Sequence, residues 1–478
     1  MKRKYCILSI IISAALLAGC LSACGESGTA TGGSSSDENT AATVTGGDAA
    51  TTPDTTADVE APDVSGATTI ALSGQSATAT GTGAEVTDGM VTITAGGTYV
   101  VTGTMTEGRI LVNAPKEEVT LVLQDAAITC STGSPLYVYK SKATTLYLPE
   151  GTASTLTDGT DYTFSDSYSS AEEEEPNACL YSKSDLVIAG SGSLTVNANY
   201  NNGITGKDTL FIQKASVTVN AVNHGINGKD SLTIKDADIT VTSGGDALRS
   251  TNDSDTTLGY LVITGSALKL TAGEDGIQAE TTLTISGGTA TVTTAGGAGQ
   301  SISDDTSAKG LKAGTQVTVT GGTFQLNCCD DAIHSNGDGT IDCDGSATIT
   351  GGIVVAAGST GMAENFGTAS TQGSILVNLS GSAGQTITLK DSDGNILASF
   401  TPAKAFGCVV VSAPGVAQGG TYTIAAGGAS TTVTMESLIY GSGMGGFGGM
   451  GGGMGGPGNM GGGQQPPQGG MGGPGNRG

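Results

Sequence analysis

Apolar and polar residues alternate in short runs along most of this chain, as in Leu283-Thr284-Ile285 and Thr291-Val292-Thr293. A period of two is the periodicity of strands. Gly-Gly pairs at Gly287-Gly288 and Gly321-Gly322 cut the runs apart. A longer rhythm lies over the alternation. One phrase, a polar residue followed by Gly or Ala and then Ile or Leu, occurs at Asn202-Gly203-Ile204, His224-Gly225-Ile226 and Asp246-Ala247-Leu248. It returns at Asp275-Gly276-Ile277, Lys309-Gly310-Leu311 and Asp331-Ala332-Ile333. Its central residues are spaced by 22, 22, 29, 34 and 22 positions. A fixed period with insertions in single repeats marks a solenoid. Each period has room for about three short strands and their turns. One such unit cannot bury its apolar face alone, whereas stacked units can. The predicted fold is therefore all-β, a right-handed parallel β-helix of ~22-residue coils, the hand following from the preference of parallel crossovers.

The pattern changes outside this stretch. Lys2, Arg3 and Lys4 precede an apolar run from Ile7 to Leu17, which reads as a secretory signal too short to span a bilayer. It ends in Leu17-Ala18-Gly19-Cys20, similar to a bacterial lipobox. Residues 1–20 are thus expected to be a lipoprotein signal with Cys20 lipidated; Leu21-Ser22-Ala23-Cys24 offers Cys24 as the alternative. The expected location is extracellular, with a lipid anchor in the bacterial cell membrane. Residues 21–66 are rich in Ser, Thr, Gly and Ala and read as a disordered tether. Residues 67–176 show short alternating strands without the phrase, and read as an N-terminal β region that caps the stack. The acidic run Glu172 to Glu175 reads as a solvated loop. The repeats occupy residues 177–365 and an antiparallel β module residues 366–440. Residues 441–478, all Gly, Met, Pro and Gln in character, read as a disordered tail.

Composition narrows the chemistry. A net charge of −25 argues against nucleic acid as a partner. The absence of Trp and an aromatic content of 4% disfavour a site that stacks neutral sugars on rings. The cysteines match no zinc spacing and give no disulfide connectivity, and only His224 and His334 could offer imidazole to a metal.

Stacking coils about 4.8 Å apart turns the phrase into columns. Ile204, Ile226, Leu248, Ile277, Leu311 and Ile333 must form an inward column. The residues after them, Thr205, Asn227, Arg249, Gln278, Lys312 and His334, should then point outward. Beside them stand Asp246, Glu274, Asp275, Asp304, Asp305, Asp330 and Asp331. Asp at these corners can cap turns, and the cations can be surface ion-pair partners. Carboxylates crowded at one corner nevertheless repel each other without a cation, and hard oxygen ligands select calcium. Calcium is therefore the expected metal on these acids, and Arg249, Gln278, Lys309, Lys312 and His334 are the expected ligand-binding residues. The insert Thr251-Asn252-Asp253-Ser254-Asp255 resembles half of an EF-hand loop, but its downstream positions fail that motif.

Four stretches, Gly245 to Asn252, Asp275 to Glu280, Lys309 to Ala313 and Asp330 to Gly337, resemble a family of secreted carbohydrate-binding domain-containing β-helix proteins, related in fold to pectate lyases. The resemblance runs from about Thr68 to Tyr440, and the Gly/Met tail is similar too. It implies a right-handed β-helix, bound calcium and binding of plant cell-wall polysaccharide, an acidic pectic or cellulosic glycan. The chain departs from the pattern at Ala247 and Ala332, which replace Gly, and at Thr360-Gly361-Met362, which lacks the acid.

Three functions compete. A non-catalytic binder would hold a polyuronate through calcium and through Arg249, Lys309 and Lys312. A calcium-dependent lyase would use Lys309 or Lys312 as the base that removes the proton alpha to the uronate carboxylate. A structural adhesin would bind a protein. The low aromatic content disfavours a binder of neutral sugar alone, and the three are preferred in the order given.

Overall fold

The computed structural model describes residues 57–297, 302–303, 306–330, 333–335, 346–358, 360, 363–402 and 405–441. Cys20 and Cys24, the expected tail, and Asp304, Asp305 and Asp331 lie outside the described residues. The described chain is all-β, without a helix, and is dominated by parallel pairing. Among the described residues there is a 23-stranded sheet, an 11-stranded sheet and a small four-stranded antiparallel sheet.

The pairing rule is simple. From Ala178–Ser182 to Thr323–Asn327 each strand pairs in parallel with the strand three places later. Thr209–Gln213 pairs with Ser231–Lys235, and that with Tyr260–Thr264. Ser216–Ala221 pairs with Asp238–Ser243, and that with Ala267–Ala272. From the His224 phrase onward the third strand of each period is three residues long, as in Ile226–Gly228 and Leu248–Ser250. It carries the last residue of the phrase and builds the 11-stranded sheet.

The apolar column of the sequence is a column in space. Ile204 pairs with Ile226, then Leu248, Ile277, Leu311 and Ile333 in unbroken register. The first five are fully buried in one core that runs the length of the parallel sheets, and Ile333 packs against it. The glycine of the phrase has a steric reason. A Cβ on Gly225 would stand 2.4 Å from Val241 Cγ1 and 2.5 Å from the Ala247 carbonyl oxygen. Ala247 itself is fully buried at the equivalent place, so that one turn of the chain opens enough for a methyl group.

The parallel pairing also continues towards the N-terminus of the phrase-bearing stretch. Leu136–Lys140 pairs with Ala178–Ser182, and Arg109–Asn113 with Leu136–Lys140, so most of the region expected to be a cap shares the same sheets. The phrase is missing there because its small central position, one before the column residues Ile110, Leu136 and Leu180, is held by Arg109, Pro135 and Cys179. At the other end, Ile387–Lys390, Ile396–Phe400, Thr421–Ala426 and Ala429–Thr434 make the antiparallel sheet, with its own core around Leu389, Phe400 and Ile424. Cys408–Ser412 instead pairs antiparallel with Ile353–Gly358 and so extends the large sheet.

Candidate functional site

In the first four phrases the polar residue that opens the phrase serves the backbone first. Asn202 Oδ1 accepts the His224 N–H (3.2 Å), and His224 Nδ1 accepts the Asp246 N–H (2.9 Å). Asp246 Oδ1 accepts the Asp275 N–H (3.0 Å), and Asp275 Oδ1 accepts the Lys309 N–H (2.8 Å). Each side chain thus satisfies the N–H of its successor one turn of chain away. A buried N–H left without a partner would cost about 1–3 kcal/mol, so Asn, His and Asp are selected here as short acceptors.

The second carboxylate oxygens meet cations. Lys312 Nζ donates to Asp275 Oδ2 at 2.8 Å, while Ser307 Oγ donates to Asp275 Oδ1 at 2.7 Å. Lys309 Nζ stands 2.6 Å from Asp330 Oδ2. Arg249 Nη1 lies 3.4 Å from Asp246 Oδ2 and 2.8 Å from His224 Nε2. Burial pushes the Asp246 carboxyl up, but His224, Arg249 and the Asp275 N–H outweigh it and hold that carboxyl below its ordinary value. The side chains of Asp246 and Asp275 are only 5% and 2% exposed, so these are internal ion pairs and not surface ones.

The outward column is also in register: Thr205, Asn227, Arg249, Gln278, Lys312 and His334 pair in that order. Thr205 and Asn227 are buried, whereas Arg249, Gln278 and Lys312 are half-buried. The His334 side chain lies outside the description. The insert after Ser250 closes on itself instead of presenting ligands. Asn252 Oδ1 accepts from the N–H groups of Ser254 and Asp255, and its Nδ2 donates to Asp230 Oδ1.

A calcium ion fits these residues only in part. Both oxygens of Asp275 are engaged by Lys312, Ser307 and the Lys309 N–H, and the Lys312 ammonium stands where the ion would. His224, Asp246 and Glu274 form a second cluster, with the Arg249 guanidinium against the first two. Their ligand atoms lie within 4.8 Å of one another, and Glu274 is half-buried beside the column.

Comparison with known proteins identifies the family. The family model described as carbohydrate-binding domain-containing protein matches residues 87–361, more than half of the chain. The chain belongs to this family. A carbohydrate-binding domain-containing protein of Acetivibrio thermocellus is 41% identical over 204 residues, 42% of this chain and 70% of that protein. A polysaccharide lyase-like protein from C. thermocellum, solved as a gadolinium derivative, is 30% identical. Its superposition covers 56% of this chain and all of that one, with a TM-score of 0.47.

This carbohydrate-binding domain carries aromatic residues that pattern reading passed over. Tyr137 and Tyr181 continue the outward column, in register with each other and with Thr205. Carrying the column one period back from Ile204 to Leu180 would have pointed to Tyr181. They pack edge to face with centroids 5.6 Å apart, and Tyr139 meets Tyr137 and Tyr168 in the same way. Tyr137 and Tyr181 are fully buried, and the Tyr137 hydroxyl donates to the Tyr168 carbonyl (2.8 Å). An ion pair between Arg109 and Asp166 ties down the covering segment. The rings are therefore core, and the open part of the column begins beyond them. The acidic run is corrected in the same region. Glu172 to Glu174 are exposed, but Glu175 is buried and bonded to Lys183 (2.7 Å) and Lys207 (2.6 Å).

Proposed function

We propose that this chain is a non-catalytic carbohydrate-binding protein whose ligand is an acidic plant cell-wall polysaccharide, lying along the column Arg249, Gln278, Lys312 and His334. The observation that carries the reading is the register of Arg249, Gln278 and Lys312. Donors repeat at about the 4.8 Å strand spacing, and a linear glycan also presents its oxygens at regular intervals. The fold of the proposal is a right-handed parallel β-helix over residues 177–365, supported by the pairing of each strand from Ala178–Ser182 to Thr323–Asn327 with the strand three places later. Calcium belongs to the proposal at Asp246 and Glu274, with His224 alongside, where a polyuronate carboxylate would complete its oxygen shell. The proposed location is the cell surface, with Cys20, or alternatively Cys24, as the lipid anchor.

The lyase reading is second. It needs Lys309 or Lys312 to present a lone pair to substrate, yet each Nζ is engaged with a carboxylate. Incubation with polygalacturonate and calcium separates the two. Retention on the glycan without absorbance from unsaturated uronate supports binding alone, and a rise in that absorbance overturns it.

A further inference from the structure

The large sheet has a second outward column, on a face the first does not share. It passes through Val100, Val122, Tyr147, Ala189, Gln213 and Lys235, each the register partner of the next. Residues 57–67 bear on both ends of this column, bonding Gln213 and Lys235 and flanking Val100, Val122 and Tyr147. The six strands it crosses span about 24 Å at the interstrand spacing. Eleven residues of extended chain reach that far.

One end of this strap is held by specific polar contacts. Gln213, fully buried, donates from Nε2 to Asp58 Oδ1 (3.0 Å) and accepts the Val59 N–H at Oε1 (2.7 Å). Lys214 Nζ donates to Asp58 Oδ2 (2.6 Å), and Lys235 Nζ to Asp58 Oδ1 (3.1 Å). One carboxylate therefore receives three donors, two of them cationic. The two ammonium groups hold the Asp58 carboxyl below its ordinary value. The other end is loosely seated. Pro62 and Val64 border a cavity of about 360 Å³ over Val100, Val122 and Tyr147, and Val64 is 50% exposed. The strap is anchored by its charge and not by its packing.

We propose that Gln213, Lys214 and Lys235 form a carboxylate-binding subsite, which Asp58 fills in cis and which a uronate carboxylate of an acidic glycan takes when the strap is displaced. The strap has the features of that ligand: it is linear, it crosses the strands along one column, and it offers a carboxylate to the three donors. Displacement costs little, because the Asp58 pair is half-exposed and its apolar neighbours are underpacked. Two columns on different faces would let one molecule hold two glycan chains or two parts of one. This inference rests on the acidic-glycan reading above.

The test uses the full-length chain and polygalacturonate. Asp58→Asn weakens the strap while leaving the three donors, so affinity should rise about two- to thirtyfold, the factor corresponding to the two ion pairs of Asp58. Asp63→Asn, an equal change of charge in the same segment outside the cradle, should leave affinity unchanged. Hydrogen exchange adds an independent readout: the Val59 amide, bonded to Gln213, should lose protection when polygalacturonate is added. If the glycan binds while Val59 stays protected and Asp58→Asn matches the parent chain, the subsite is overturned and the Arg249 column stands. If neither the parent chain nor Asp58→Asn binds the glycan, the acidic-glycan reading itself falls.

Discussion

Asp246 Oδ1 accepts the backbone N–H of Asp275 at 3.0 Å, across 29 residues of sequence. The bond makes one acid of the phrase a structural acceptor for the next. It also separates two reasons for having an acid there. Asp246→Asn keeps an acceptor oxygen and removes the charge, whereas Asp246→Ala removes both. The alanine variant should be less stable than the asparagine variant by about 1–3 kcal/mol in chemical unfolding, the cost of an unsatisfied buried donor. Equal losses in the two would show that charge alone matters at this position.

Glu175 predicts an acid-sensitive contribution to stability. Burial raises its carboxyl, but Lys183 and Lys207 outweigh burial and hold it at about 2, below its ordinary 4.5. A depressed folded-state value means the contribution is complete above about pH 4.5 and is lost as pH falls towards 2. Glu175→Gln should lose on the order of 2 kcal/mol at neutral pH, with the gap to the parent chain closing across that window. Melting curves at pH 7, 4 and 2.5 measure the gap, and a gap that does not change with pH contradicts the assignment.

The phrase glycine gives a packing prediction. Gly225→Ala places a methyl group 2.5 Å from a carbonyl oxygen, so the strands must separate locally. The expected cost is about 1–3 kcal/mol, typical of overpacking in a tight core. Ala247→Gly, where the turn already accepts a methyl group, should cost less. A Gly225→Ala variant as stable as the parent would mean that the backbone there yields freely.

The columns were legible because the strand period of two and the phrase period of 22 fix both the facing of each residue and its partner. Arg249, Gln278 and Lys312 were placed side by side from spacing alone, and the register puts them there. What spacing could not give is how far a side chain is buried. Arg249 and Lys312 read as exposed charges, but each reaches a carboxylate within the fold. The side-chain-to-backbone chain from Asn202 to Lys309 was hidden for a similar reason, since Asn, His and Asp share no pattern beyond an acceptor atom of the right reach. The Tyr137 and Tyr181 cluster was missed because the phrase lapses before Asn202, although the register does not.

Calcium is tested without any glycan. An ion at Asp246 and Glu274 binds the native chain only, so it should raise the melting temperature, and a chelator should reverse the rise. Glu274→Gln should abolish the calcium response while leaving the melting temperature without calcium nearly unchanged, because Glu274 is a half-buried corner residue. A calcium shift that persists in Glu274→Gln would place the ion on other acids.

The most direct measurement of the central claim is polygalacturonate affinity in a variant that loses donors from the Arg249 column but still folds. Lys312 is left in place, because its 2.8 Å pair is the tighter one and its loss would strand the buried Asp275 carboxylate at about 3–5 kcal/mol, whereas Arg249 stands 3.4 Å from Asp246, which keeps the Asp275 N–H when Arg249 is replaced. Arg249→Gln combined with Gln278→Ala removes one charge and one amide from adjacent positions of the column. Circular dichroism and melting establish that the variant is folded, and binding is then measured in saturating calcium. The account predicts a loss of affinity of about 1–3 kcal/mol, the worth of one or two charge-assisted bonds. An affinity equal to that of the parent chain, in a folded variant, would contradict it.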